Sequence, residues 1–416
     1  MKRIYFLLLV LFFASCKKDG TGTGTDDPTG QDPKTTEAIM SLLPKRVAFG
    51  VENDISQISN IIQETDYLYH YLTGNPADGS GWASWNSPKG EYARIFLNQT
   101  GQLNKIPVFT YYTIVPFNNR YEDPAFTNLN DATVMNKYFQ DWKLLLDICK
   151  QYGKTVIIHY EPDMLGYLQI FKDDASKNKV KVAQSNNPDV AGFSNDTKGL
   201  YQAIVAMKNK YAPNVLLGWH ASQWATGTDL IGNKANPETL ATQTATFYKS
   251  LGAGFDLIFS EFSDRDAGFY EVVRGENTWW STQGNASNGN LSDFDRFQRY
   301  LKKLNQETGQ KIILWQIPMG NTLTKTCNNT ENHYKDNRPE YFLQPVLQNG
   351  NLDKIRQYGE AGVIAFLFGA GAGECTNYFD YRGDNVTGAG ETADDDGGYL
   401  RKGIKAYYQK GPIAIL

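Results

Sequence analysis

The chain has 416 residues, 41% of them hydrophobic and 13% aromatic, enough for a sizeable core in one large barrel or two smaller domains. Its formal charge is −4, and loss of Lys2 and Arg3 with the leader takes it to −6, which argues against nucleic acid as a partner because phosphate binding needs a basic face. The cysteines include no Cys-x-x-Cys pair and the histidines form no metal-ligand spacing, so neither a structural zinc nor any cofactor is expected.

Lys2 and Arg3 precede an uncharged apolar run from Ile4 to Phe13, followed by the small residues Ala14 and Ser15 and then Cys16. These are the charged region, apolar region and cleavage site of a secretory signal. The run is about ten residues, against the roughly 20 that a spanning helix needs, so 1–15 reads as a removable signal. Phe13-Ala14-Ser15-Cys16 resembles the bacterial lipobox, with Phe where Leu is usual. The resemblance implies cleavage before Cys16 and diacylation of that residue, with the membrane engaged through the lipid only. Residues 16–36 continue as Lys17-Lys18-Asp19 and a stretch of Gly, Thr, Asp and Pro. Such a composition cannot bury enough surface to offset its ordering entropy, so a flexible tether is expected. The Lys-Lys-Asp start resembles lipoproteins of Bacteroidota that reach the outer membrane, often its outer face.

From residue 37 to 416 a single domain is expected. Eight short apolar runs recur, at 46–51, 67–72, 106–114, 155–160, 215–220, 257–262, 312–317 and 362–368. Most are continuous rather than alternating, as strands buried on both faces are. Helical patterns lie between them at 55–64, 134–152, 200–211, 239–251, 294–306, 352–360 and 399–408; only the second unit, with its Gly/Trp/Ser-rich stretch 75–92, shows none. Repeated strand–helix units mean a parallel sheet, and eight in one domain predict an α/β fold, the (β/α)8 TIM barrel. An open α/β sheet is the runner-up. Its phosphate loop is missing, because the first strand leads into Glu52-Asn53-Asp54 with no glycine motif.

A barrel of this kind places its active site at the C-terminal ends of the strands. There the sequence collects Tyr112 after the third run, Glu161 and Asp163 after the fourth, and Trp219, His220 and Trp224 around the end of the fifth. The sixth run is followed by Glu261, Asp264 and Asp266, and the seventh ends on Trp315 and Gln316. Glycoside hydrolysis needs two carboxyl groups across one bond, with aromatic faces for sugar rings and amides or imidazoles for hydroxyls. Glu161 is the first choice for general acid, and Glu261 and Asp264 compete for the second carboxylate. Asp163, His220, Trp219, Trp224, Asp266, Trp315, Gln316 and Tyr112 are the candidate substrate-binding residues.

This pattern, a Glu ending strand four with strand-end His and Trp and a later acid, resembles the large TIM-barrel superfamily of retaining glycoside hydrolases. The resemblance implies a barrel that cleaves a poly- or oligosaccharide. Two positions depart from it: Tyr160 stands where Asn usually precedes the strand-four Glu, and strand seven offers Gln316 where the nucleophilic Glu is usual. The second acid has then moved to strand six, the strand count is off by one, or the chain is not a standard retaining enzyme. A non-catalytic glycan-binding lipoprotein on a barrel scaffold is the alternative; a lyase or esterase is third, and no Gly-x-Ser-x-Gly elbow supports the esterase. Cys327 and Cys375 both fall in late loops and are a candidate disulfide in an oxidising envelope. Cys149 sits in an apolar helical stretch and is expected buried and free. Asp394-Asp395-Asp396 reads as a helix-capping run rather than a calcium loop, and a monomer is expected.

Overall fold

The structure is a computed structural model that describes residues 34–56, 65–114, 124–173, 175, 177–262, 267, 270–318, 337–369 and 397–415. Eight parallel strands close into a barrel in sequence order. They are β1 (Ala48–Glu52), β2 (Tyr67–Thr73), β3 (Ile106–Tyr112), β4 (Val156–Tyr160), β5 (Val215–His220), β6 (Leu257–Glu261), β7 (Ile312–Ile317) and β8 (Val363–Phe368). Closure comes from the β8–β1 pairing, Ala48 beside Ala365 through Val51 beside Phe368, and it sets aside the open sheet. All eight expected strands are present. The helix expected over 55–64 falls largely outside the described residues.

Strand side chains alternate between two dry layers. Residues such as Tyr67, Val108, Ile157, Leu216, Leu257 and Ile313 fill the barrel interior. Their neighbours Leu68, Phe109, Ile158, Leu217, Ile258 and Leu314 face the helices. Burial on both sides explains why the strands read as unbroken apolar runs.

The longest helix, α4 (Ala132–Tyr152), shows how the outer layer forms. Asp131 accepts from the Thr133 and Val134 amides at its start, and Gly153, at φ 74°, ends it. Met135, Tyr138, Trp142, Leu145 and Cys149, three or four apart, are buried against the barrel. Each such side chain contributes about 1.5–3 kcal/mol by leaving water. In the second unit α2 (Glu91–Gln102) forms where no helix is expected, burying Tyr92, Ala93, Phe96 and Leu97. Its Asn, Thr and Gly residues are weak helix formers, so tertiary packing decides it.

The short helix α1 (Thr36–Ser41) closes the N-terminal face of the barrel. Ile39 and Leu43 join the inner apolar cluster. Lys34 Nζ donates to the Pro213 and Val215 carbonyls at the start of β5, and Thr36 Oγ1 donates to the Gly309 carbonyl before β7. Residues 16–33 of the expected tether lie outside the described residues.

Candidate active site

The C-terminal mouth of the barrel carries the polar groups. Glu261 ends β6 with its side chain 14% exposed. Its Oε1 accepts from the Gln223 amide at 3.2 Å, and its main-chain oxygen accepts from Gln223 Nε2 at 2.6 Å. Its Oε2 lies 2.5 Å from His220 Nε2, an ion-pair contact off the line of an aligned hydrogen bond. His220 ends β5, and its Nδ1 is 2.9 Å from Nε2 of His159 on β4. Burial alone would push His220 down, but the charges of Glu261 and Asp163 outweigh it and hold His220 above its usual range. Burial and the neighbouring His220 push His159 well below its usual range. The imidazole pair is therefore polarised: its surroundings favour a charge on His220 and disfavour one on His159.

Packing fixes these rings. His159 stacks on Phe259, with centroids 4.1 Å apart, and Trp315 stands edge-on to His159 and His220 at 4.7 and 5.7 Å. A glycine at 218 is what makes room, since a Cβ there would collide with the Phe259 ring. Tyr71, half-buried on β2, lies 5.6 Å from Trp315. Asp163, just past β4, takes a 3.3 Å bond from the Tyr112 hydroxyl, and its charge reaches both Tyr71 and His220.

Six described residues other than glycine have positive φ: Asn104, Asn186, Asn290, Glu161, Asp163 and Gln316. The last three lie beyond β4 or within β7, at the mouth. Gln316 sits where the β7–β8 register slips, a bulge that turns its side chain off the regular alternation. Glu and Gln rarely adopt this conformation, and such strain, about 1–3 kcal/mol per residue, gathers at functional sites.

Glu161 follows directly on β4. Its positive φ turns the side chain into the seam between β3 and β4, where it is fully buried. The Thr113 amide and hydroxyl, the Ile114 amide and the Tyr138 hydroxyl all bond its carboxyl oxygens, at 3.1–3.3 Å. Burial raises its pKa to about 7 against these stabilising bonds. Four donors from the protein thus hold the carboxyl in the β3–β4 seam.

Trp219 lies away from the mouth. It points outward from β5, 1% exposed, stacked on Tyr248 at 4.2 Å, with Nε1 bonded to Gln310. Trp315 is 3% exposed inside the barrel, a floor rather than a stacking face. Trp224 remains at the rim, half-buried against Tyr167. Of the loop tryptophans, Trp82 is buried on Asp141 and Trp280 on Phe262, while Trp85 is 41% exposed. Cys149 is buried and free as expected. Asp264, Asp266, Cys16, Cys327, Cys375 and the run 394–396 lie outside the described residues.

A group unforeseen from sequence borders the mouth. Glu52 ends β1 and pairs with His70 Nδ1 at 2.8 Å, while Asp54 takes the Tyr92 hydroxyl at 2.7 Å. The exposed Trp85 stands edge-on to Tyr92 and His70. Its signal is Glu52 itself, an acid closing the first strand. Among the described residues no group of three or more His, Cys, Asp or Glu could hold a metal ion, and no helix is long and apolar enough to cross a membrane.

No family model matches the chain, and no curated protein matches it. Among solved structures it is similar to the GH53 catalytic domain of Ignisphaera aggregans, at 10% identity and a TM-score of 0.47 over 85% of this chain and 96% of that one. It is similar to a GH26 β-mannanase from Bacteroides ovatus, at 10% identity and 0.45 over 91% and 93%. It is also similar to an exo-β-1,4-mannosidase from an Opitutaceae bacterium, at 10% identity and 0.49 over 88% and 60%. No residue role passes to this chain from similarities of this degree.

Proposed function

We propose that the protein is a glycoside hydrolase acting on a poly- or oligosaccharide, with Glu261 and Asp163 as its two carboxyl groups. The observation that carries this reading is the Glu261–His220 contact at the barrel mouth, with Asp163 close enough for its charge to act on the same imidazole. Cleavage of a glycosidic bond requires two acids on one face, and these two, past β4 and at the end of β6, both act on the imidazole that ends β5 between them. Pairing with an imidazolium suits Glu261 to act as nucleophile or base. Asp163, under the Tyr112 hydroxyl, would serve the leaving oxygen. Trp224, Trp85 and Gln316 would bind the sugar. The test is release of reducing ends from a panel of polysaccharides by the wild type and by Glu261→Gln and Asp163→Asn.

A second reading, a glycan-binding protein without turnover, is favoured by two observations: the strand-four acid is buried, and strand seven carries Gln316 near its end. Affinity electrophoresis with no sugar release from any polymer would select it.

The same proposal includes attachment by lipid at Cys16 to the outer membrane. The chain enters the barrel at its N-terminal face through Lys34 and Thr36, opposite the cleft, so an anchor there leaves the mouth clear for a large external polymer. Mass analysis of the purified N-terminal peptide tests the acylation.

A further inference from the structure

His159 has no part in the hydrolysis just described, yet it is fully buried directly behind the pair that does. We propose that His159 is a positioning residue for Glu261, acting through His220: the tautomer of His159 and the charge on His220 change together, because one proton is shared across the contact between their rings. This rests on Glu261 being the working carboxylate.

The argument is a proton count. The contact between His159 Nε2 and His220 Nδ1, at 2.9 Å, holds one proton. When His220 is neutral with its proton on Nε2 toward Glu261, its Nδ1 is bare, so His159 must donate from Nε2 and its own Nδ1 is bare. When His220 is cationic, both its nitrogens carry a proton, so His159 Nε2 must accept and its own proton must sit on Nδ1. Charging the pair thus moves the shared proton from His159 to His220 and adds one new proton at His159 Nδ1. Neither ring can titrate without the other changing tautomer.

Nδ1 of His159 has no protein partner, so either tautomer is open to it. It lies in a layer with other buried, unpartnered polar atoms: Thr110 Oγ1, next to His159 in the β3–β4 register, Tyr71 Oη, next to Thr110 in the β2–β3 register, and Trp315 Nε1. The Trp315 ring touches both Tyr71 and His159. The charges acting on the pair are those of Glu261 on β6 and Asp163 after β4; Tyr71 on β2 meets the same Trp315 ring, and the Tyr112 hydroxyl on β3 bonds Asp163. The two carboxylates favour the cation on His220, the ring nearer the mouth. A phenylalanine at 159 could stack on Phe259 equally well, so stacking alone does not account for an imidazole there.

The chain has four histidines, few enough to resolve each ring by nitrogen-15 NMR of histidine-labelled protein. In the wild type, His159 is expected in the Nδ1–H form while His220 is doubly protonated, and it should switch to Nε2–H over the same pH range in which His220 loses its charge. A His159 ring that keeps one tautomer throughout, or that carries Nε2–H beside a cationic His220, overturns the proposal. This measurement needs no substrate, so it stands or falls apart from the hydrolase reading. In variants, His159→Phe should lower the His220 midpoint by about one unit or more, the size of one lost charge-assisted bond. His159→Gln, which keeps an acceptor, should restore most of it. An unchanged midpoint in folded His159→Phe contradicts the proposal, and if that variant does not fold, the wild-type tautomers decide.

Discussion

Replacing Glu161 by Gln separates a latch from a catalyst. In the folded chain its carboxyl is fully buried and titrates near pH 7 rather than 4.5, because burial outweighs the bonds from Thr113, Ile114 and Tyr138. Below pH 4.5 it is protonated in both states and the shift has no effect. Between 4.5 and 7 the unfolded chain has released its proton while the folded chain still holds it, so stability falls as pH rises. Above 7 the loss is complete and constant. A shift of about 2.5 units corresponds to on the order of 3 kcal/mol. A glutamine fits the same seam: its carbonyl can face the Thr113 and Ile114 amides, and its NH2 can face the Thr113 and Tyr138 hydroxyls, which rotate to accept. Urea denaturation of wild type and Glu161→Gln between pH 4 and 8 should show the wild type losing about 3 kcal/mol relative to the variant across the window from 4.5 to 7. A difference that is flat with pH, or that rises, would refute a buried, shifted Glu161.

Asp141 offers a parallel case. Its pKa is pushed up to about 6 by burial, while Trp82 Nε1 and the Tyr111 hydroxyl both donate to its Oδ2. Asp141→Leu should cost about 1–3 kcal/mol for each orphaned donor, whereas Asp141→Asn keeps one oxygen for both and should cost far less, by thermal or urea unfolding. Trp219→Ala should cost about 3–5 kcal/mol in the same assay and leave sugar affinity unchanged, because the ring packs on Tyr248 away from the mouth. Lys208→Met strands Asp256, whose Oδ2 is 3.1 Å from the ammonium in a buried pair, and should also cost about 3–5 kcal/mol.

The barrel was legible in the sequence because burial on both faces leaves an uninterrupted mark: Ile157 and Ile158, or Ile312 to Leu314, belong to opposite layers yet are equally apolar. Helix α2 was less so, since its apolar residues are diluted by polar ones and packing supplies what propensity lacks. At the site, sequence places residues at strand ends but not the direction of a side chain once the backbone leaves the regular alternation. Tyr160 faces the helices, so His159 faces inward, and simple alternation would send Glu161 inward too. Its φ of 41° sends it into the seam instead. No local sequence signal announces that conformation for a glutamate. Trp219 fails for the opposite reason: alternation holds, and its neighbour His220 takes the inward position. Glu52 was readable as an acid closing a strand, but the sequence does not show that His70, facing outward on β2, would meet it.

The most direct test of the account is the rate of reducing-end release from one active polysaccharide by wild type, Glu261→Gln and Glu161→Gln, each shown to be folded by its thermal transition. Loss of the Glu261 carboxylate should lower kcat by at least about a hundredfold, as removal of a working acid or base does, while Glu161→Gln stays within a few-fold of wild type. Full activity in Glu261→Gln with loss in Glu161→Gln would contradict it and restore the strand-four glutamate as the catalyst.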